Sequence, residues 1–123
     1  MSNAILVVDD NATIRHLARK TLSGAGYKVV EAENGADGLE CAKGQQFGMV
    51  LTDINMPVMG GMDMIKALRG LDNYKKTPLI VLSTESTREM VDQGKQAGAN
   101  GWMVKPFEPD KLLNLVKKVV PVP

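Results

Sequence analysis

At 123 residues the chain is long enough for one hydrophobic core and too short for two, and 44% hydrophobic with 24% charged residues excludes disorder, collagen and fibre. Fifteen Lys+Arg against fourteen Asp+Glu leave a formal charge of +1, without the basic excess of a phosphate-backbone binder, so nucleic acid is not an expected partner. One cysteine, Cys41, excludes an internal disulfide or a cysteine-based metal site, and no apolar run or leader-like start marks a membrane or export segment, so the expectation is a single cytoplasmic domain over residues 1–123 with no membrane partner.

The first apolar run, Ala4 to Val8, reads as a strand. Ile14, Leu17, Ala18, Thr21, Leu22 and Ala25 follow at helical spacing and form one stripe, closed by Gly24 and Gly26. The pattern then repeats: strand Lys28 to Ala32, helix Ala36 to Lys43, strand Met49 to Thr52, helix Met62 to Leu71 with Ile65 and Leu68 inward, strand Pro78 to Ser83. A helix over Arg88 to Ala97 (Met90, Val91, Gly94) ends at Gly98, and a strand over Gly101 to Val104 follows. The last helix, Pro109 to Val120 (Leu112, Val116, Val119), opens on a proline suited to a first turn and is stopped by Pro121 and Pro123.

Apolar strands without polar alternation suggest burial on both faces, the habit of parallel sheets. Five strands, each followed by a helix across a short connection, require right-handed crossovers that cover both faces. The fold expected is α/β: a doubly wound (βα)5 three-layer sandwich on a five-stranded parallel sheet. Such sheets collect their chemistry at the carboxyl ends of the strands, near the point where strand order reverses.

Strand one ends in Asp9-Asp10, strand three in Asp53, strand four in Ser83-Thr84 and strand five in Lys105-Pro106. Singly, an Asp pair before a helix reads as a cap, a lone Asp as a turn residue and a lone Lys as solvated surface. The fold, however, brings these four ends to one edge, where three carboxylates, a hydroxyl and an ammonium share a pocket. Clustered Asp oxygens suit a hard divalent cation such as Mg²⁺. A carboxylate needs no general base to act as a nucleophile, so Asp53 is placed to attack phosphorus and form an acyl phosphate. Lys105 and Ser83 supply a cation and a hydrogen-bond donor to the phosphoryl oxygens.

The segments "ILVVDDN", "VLTDINMPVMGG", "VLSTES" and "GWMVKPF" resemble, in this order, the receiver domain of two-component response regulators, over Ala4 to Val120. The likeness is strongest to stand-alone receivers of the chemotaxis CheY type, which have the flavodoxin-like fold. It implies that Asp53 is the phosphoacceptor, that Asp9 and Asp10 are the acidic metal pair, and that the Asn55 backbone carbonyl completes the Mg²⁺ shell. It makes Lys105 the phosphoryl-gripping lysine, Ser83 the switch hydroxyl and Trp102 the switch aromatic, with a cis peptide before Pro106. Thr84, bulkier than the family's usual Ala or Gly, joins Asp53, Lys105 and Ser83 as a candidate catalytic residue, and Trp102 replaces a more usual Tyr or Phe. The implied phosphodonor is a histidine kinase of the CheA kind, and the implied target is a protein such as a flagellar motor switch protein, with a phosphatase as a further partner.

Off the core stripe of the last helix, Leu113 and Leu115 are extra apolar residues. The resemblance assigns to a partner face Val91, Lys95, Trp102, Leu115 and Lys118. A bulky indole is expected to face outward before phosphorylation, because its N–H needs a partner when buried. His16 and Cys41 read as surface or packing residues, and the methionines around the acceptor loop (Met56, Met59, Met62, Met64) as core filling. Gly60 and Gly61 are expected to permit an unusual backbone turn. Rival readings are a phosphate-sink receiver, a receiver excised from a larger protein, and a haloacid-dehalogenase-type phosphohydrolase. The last wants an acid two residues beyond its nucleophile, where this chain has Asn55.

Overall fold

The computed structural model describes residues 3–121; Pro123, one of the two prolines expected to stop the last helix, lies outside them. The strands are β1 (Ala4–Val8), β2 (Lys28–Ala32), β3 (Met49–Thr52), β4 (Leu79–Ser83) and β5 (Gly101–Val104). Between and after them run α1 (Ala12–Ser23), α2 (Gly35–Gly44), α3 (Gly61–Arg69), α4 (Arg88–Ala97) and α5 (Pro109–Val119). A short 3₁₀ turn, Asp72–Tyr74, follows α3 and was not foreseen. All strand pairings are parallel, in the order β2-β1-β3-β4-β5. This is the doubly wound arrangement, and its order reverses between β1 and β3.

Odd and even residues of the central strands face different helix layers. Leu6, Val8, Val50 and Val81 pack with Ala42, Met64, Ile65, Leu68 and Ala97 of α2, α3 and α4. Ile5, Val7, Leu51 and Leu82 pack with Ala18, Leu22, Leu112 and Val116 of α1 and α5. β1, β3 and β4 are buried throughout, as their unbroken apolar runs predict. β2 and β5 are only partly buried, because an edge strand has one neighbour and incomplete helix cover.

Local chemistry sets the helix ends. The Asn11 side chain accepts from the N–H groups of Thr13 and Ile14, and Asn34 and Thr87 cap α2 and α4 in the same way. Gly98 closes α4 with φ of 120°, a left-handed conformation that costs other residues. The α1 stripe overreaches: the helix stops at Ser23, and Leu17 is 37% exposed. β4 begins at Leu79, one residue late, α3 stops at Arg69, two early, and α5 at Val119, one early. His16 is exposed, and among the described residues no helix is long and apolar enough to cross a membrane.

Candidate functional site

The switch point between β1 and β3 carries three acids. Asp9 leaves β1 with its N–H on the Ala32 carbonyl of β2 (3.1 Å), and Asp53 leaves β3 with its N–H on the Val8 carbonyl of β1 (2.9 Å). The ladder thus continues one residue past each strand and holds both acids in register. Oxygens of Asp9, Asp10 and Asp53 all lie within 4.8 Å of one another. Asp9 is buried, Asp53 half-buried and Asp10 exposed.

Lys105 binds this cluster from β5's end. Its backbone N–H donates to the Ser83 carbonyl (2.8 Å), and its ammonium, with the side chain 8% exposed, donates to Asp9 Oδ2 and, at 3.0 Å, to Asp53 Oδ2. The Lys105–Pro106 peptide is cis. The remaining oxygens are also engaged: Asp9 Oδ1 accepts from the Asn11 N–H (2.9 Å) and Asp53 Oδ1 from the Ile54 N–H (2.7 Å). Burial pushes the Asp9 carboxyl above its usual range, against the hydrogen bonds of Lys105 and Asn11 and the Lys105 charge. Burial by itself pulls Lys105 down, but its hydrogen bonds and charge attraction to Asp9 and Asp53 outweigh it and hold the ammonium above its ordinary value. The result is one cation among three carboxylates: it contacts Asp9 and Asp53, and among the described residues the Asp10 carboxylate accepts no hydrogen bond. An excess of hard oxygen donors around an open cleft suits Mg²⁺. That cleft, about 340 Å³, is lined by Asp9, Asp10, Asp53, Thr84, Lys105 and Pro106 among others.

Of the strand-four pair it is Thr84 that lines the cleft. Ser83 is buried behind it, its hydroxyl accepting from the Glu85 N–H at 3.1 Å. The Asn55 amide is turned to Glu85 Oε1 (3.2 Å). Glu85 also offers its carbonyl to Trp102 Nε1 (2.8 Å), so this one residue touches the loop after β3, the Ser83 hydroxyl and the aromatic. Nothing in the sequence singled it out, because two of its three contacts use backbone atoms.

Trp102 is half-buried on the face it shares with Val91 and Lys95, its ring packed against the core over Gly94, where an added Cβ would stand 2.8 Å from Cζ3. Its N–H is satisfied by the Glu85 carbonyl, so the partner that the indole was expected to need comes from the backbone of the loop after β4. Val91, Lys95 and Trp102 line one shallow dimple, whereas Leu115 leans on the α1/α5 core layer and Lys118 is exposed.

Gly60 and Gly61 also act differently from the expectation. Gly60 has an ordinary φ of −77°, and Gly61 matters by proximity, since a Cβ there would lie 2.0 Å from the Asp53 carbonyl oxygen. The left-handed residue of the loop is Val58, φ 68°, 84% exposed. Its β-branch makes that conformation costly. Met64 is buried, Met56, Met59 and Met62 pack against the same core layer, and the half-buried Cys41 thiol is pushed up by burial and by Asp37 and Glu40.

Residues 5–117 match the response regulator receiver domain family. The chain belongs to that family. Among curated relatives of this receiver, chemotaxis protein CheY1 of Helicobacter pylori is 39% identical over 94% of this chain and 95% of its own length. Chemotaxis protein CheY of Pseudomonas aeruginosa is 34% identical over 94% of each chain. Among solved structures, Vibrio cholerae CheY4 superposes with a TM-score of 0.92 at 41% identity, over 97% of this receiver and 99% of that chain. The receiver domain of a Pseudomonas aeruginosa sensor histidine kinase, solved with magnesium coordinated in its active-site cleft, gives a TM-score of 0.89 at 25% identity over 98% of each chain. The receiver is thus CheY-like along its length, a signalling domain of the chemotaxis response-regulator type.

Proposed function

We propose that the chain is a stand-alone chemotaxis receiver, working as one domain in the cytoplasm. Asp53 accepts a phosphoryl group from the phosphohistidine of a CheA-like kinase in a Mg²⁺-dependent reaction. The phosphorylated chain then changes its binding to a protein target such as a flagellar motor switch protein. The observation that carries this reading is the Asp53 carboxylate, held by the Ile54 N–H on one oxygen and by Lys105 on the other, beside Asp9 and Asp10 in an open cleft.

An Asp53 oxygen forms the new O–P bond as the donor's P–N bond breaks, and the bonding pair leaves with the imidazole, which takes up a proton. The Ile54 N–H on Oδ1 and the Lys105 ammonium on Oδ2 hold the Asp53 carboxylate in one orientation at the cleft. Lys105 supplies fixed positive charge to the phosphoryl oxygens, and the Thr84 side chain walls the approach. Asp9, Asp10, Asp53 and the Asn55 carbonyl would hold Mg²⁺, which would supply charge neutralisation to the transferring group. Water attack on phosphorus later releases orthophosphate and restores the carboxylate, unaided or with a phosphatase, so the chain catalyses only its own phosphorylation and dephosphorylation. Ser83 and Trp102 read the change out to a partner face that includes Val91, Lys95, Leu115 and Lys118.

Asp53→Asn removes the nucleophile and nearly preserves shape. Incubation with acetyl phosphate and Mg²⁺ followed by phosphate-affinity electrophoresis is expected to show a shifted band for wild type and none for the variant, with unchanged circular dichroism. An acid-stable, base-labile phosphate retained in Asp53→Asn overturns the assignment.

A further inference from the structure

The Asp9 peptide group is gripped from outside the acidic cluster. While its N–H is on β2, its carbonyl accepts a 2.6 Å hydrogen bond from Nη1 of Arg15 on α1. The Arg15 side chain is only 13% exposed, and acids hold its other nitrogens: Nε lies 3.4 Å from Glu31 and Nη2 3.8 Å from Glu33. Glu31 stands beside Val7 in the β1/β2 register and is fixed a second time by Arg19, at 2.9 Å. Arg15 is therefore a half-buried brace between the end of β2 and the acid turn.

The peptide plane converts that brace into an effect on the site. The Asp9 carbonyl and the Asp10 N–H belong to one rigid trans unit, so the bond that sets the carbonyl also sets the direction in which the Asp10 Cα leaves it. Among the described residues Asp10 has no other anchor: Asp9 and Asp53 each hold two side-chain hydrogen bonds, and the Asp10 carboxylate, exposed at the cleft, holds none. We propose that Arg15, steadied by Glu31, is a positioning residue of the metal site, fixing the Asp9–Asp10 peptide so that the Asp10 carboxylate stays with those of Asp9 and Asp53. The proposal rests on the reading that these acids bind Mg²⁺. Residues behind metal ligands commonly change affinity by 10–100-fold when removed.

The sign of the effect separates this role from simple electrostatics. A guanidinium near a cation site opposes the cation, so by charge alone its removal tightens Mg²⁺ binding; by positioning, its removal weakens binding. Isothermal titration of the full chain with MgCl₂, without any phosphodonor, is expected to show about tenfold weaker binding for Arg15→Gln. Arg19→Gln, which removes a charge from the same network but not the Asp9 contact, is expected to bind as wild type does. In an Asp10→Asn background, Arg15→Gln is expected to add nothing, since its effect passes through Asp10. Should Arg15→Gln fail to fold, Arg15→Lys keeps the charge and loses the fork, and a severalfold loss is expected from it. Unchanged or tighter binding in the Arg15 variants overturns the inference, as does an equal loss in Arg19→Gln. Absence of Mg²⁺ binding by wild type instead overturns the functional reading beneath it.

Discussion

The Trp102 indole N–H and the Glu85 backbone carbonyl are joined by a 2.8 Å hydrogen bond, which ties the aromatic of β5 to the loop that follows Ser83. The ring's far edge rests on Gly94, a glycine inside α4 that costs roughly 1 kcal/mol of helix propensity relative to alanine. That cost is offset by packing an indole flush against the helix. Movement of the 84–87 loop and of the ring are therefore mechanically linked.

Gly94→Ala tests that packing. The new Cβ falls 2.8 Å from Cζ3, so the ring must shift or the helix must yield. Overpacking of about 1–3 kcal/mol opposes the helix gain. The expected result is a red-shifted tryptophan emission with stronger iodide quenching than wild type. Emission and quenching identical to wild type would show that the ring does not depend on the missing side chain.

The layers of the fold were legible wherever the physics is periodic. β1, β3 and α4 fall where their apolar runs and caps place them, and the acids converge because a doubly wound topology leaves no other place for their strand ends. Leu17 was misread because a helical stripe continues in sequence beyond the width that α5 and the sheet cover. Arg15, Glu85 and Val58 left no signal: the first two act through hydrogen bonds to or from backbone atoms that no side-chain pattern marks, and the third through a torsion angle. Gly94 was visible as a glycine in a helix, but its partner eight residues away on β5 was not.

Arg69 belongs with those silent residues and makes more hydrogen bonds than any of them. Its guanidinium donates to the carbonyls of Tyr74 (2.7 Å), Thr77 (2.8 Å) and Gly98 (2.8 and 3.0 Å) and to Asn100 Oδ1 (2.7 Å). Asn100 Oδ1 in turn accepts the Leu79 N–H, so one side chain joins the end of α3, the 3₁₀ turn, the start of β4 and the α4–β5 turn. Burial pulls the guanidinium below its usual value, yet it stays charged at neutral pH. Arg69→Met leaves three carbonyls without their donor and is expected to cost about 2–4 kcal/mol in urea denaturation, with an unchanged m-value. A loss below 0.5 kcal/mol, the ordinary range for surface substitutions, would show that water replaces these bonds without cost.

Alkaline pH probes the buried phenol of Tyr74, which donates to the Gln45 carbonyl (2.6 Å) and accepts from the Phe47 N–H (3.1 Å). Burial raises its ionisation above the ordinary 10.0, against the Phe47 hydrogen bond. A proton held more tightly in the folded state than in the unfolded one stabilises the fold below pH 10 and ceases to do so as pH rises through the folded value. Tyr74→Phe loses the two hydrogen bonds but has no proton to lose. Its melting temperature is therefore expected to be lower than that of wild type at pH 8, with the gap narrowing above pH 10. A gap that stays constant to pH 11 would show that Tyr74 does not ionise on unfolding.

Lys105 gives the last test, because it is the internal cation of the acidic cluster. Its ammonium bridges Asp9 and Asp53, the same carboxylates offered to a divalent ion, so lysine and metal draw on one set of negative charges. Lys105→Met leaves Asp9 buried without its cation, and removal of one member of such a pair costs about 3 kcal/mol. In chelator the variant is expected to melt well below wild type. Added Mg²⁺ then has no competitor, binds more tightly and returns more of the loss through linkage. The measurement is the melting temperature in EDTA and in millimolar Mg²⁺ for both proteins, and the variant is expected to show the larger Mg²⁺-induced rise. Equal rises would mean that the ammonium and the metal do not share Asp9 and Asp53. A smaller rise would mean that Lys105 helps to hold the acids in place for the ion and does not compete with it.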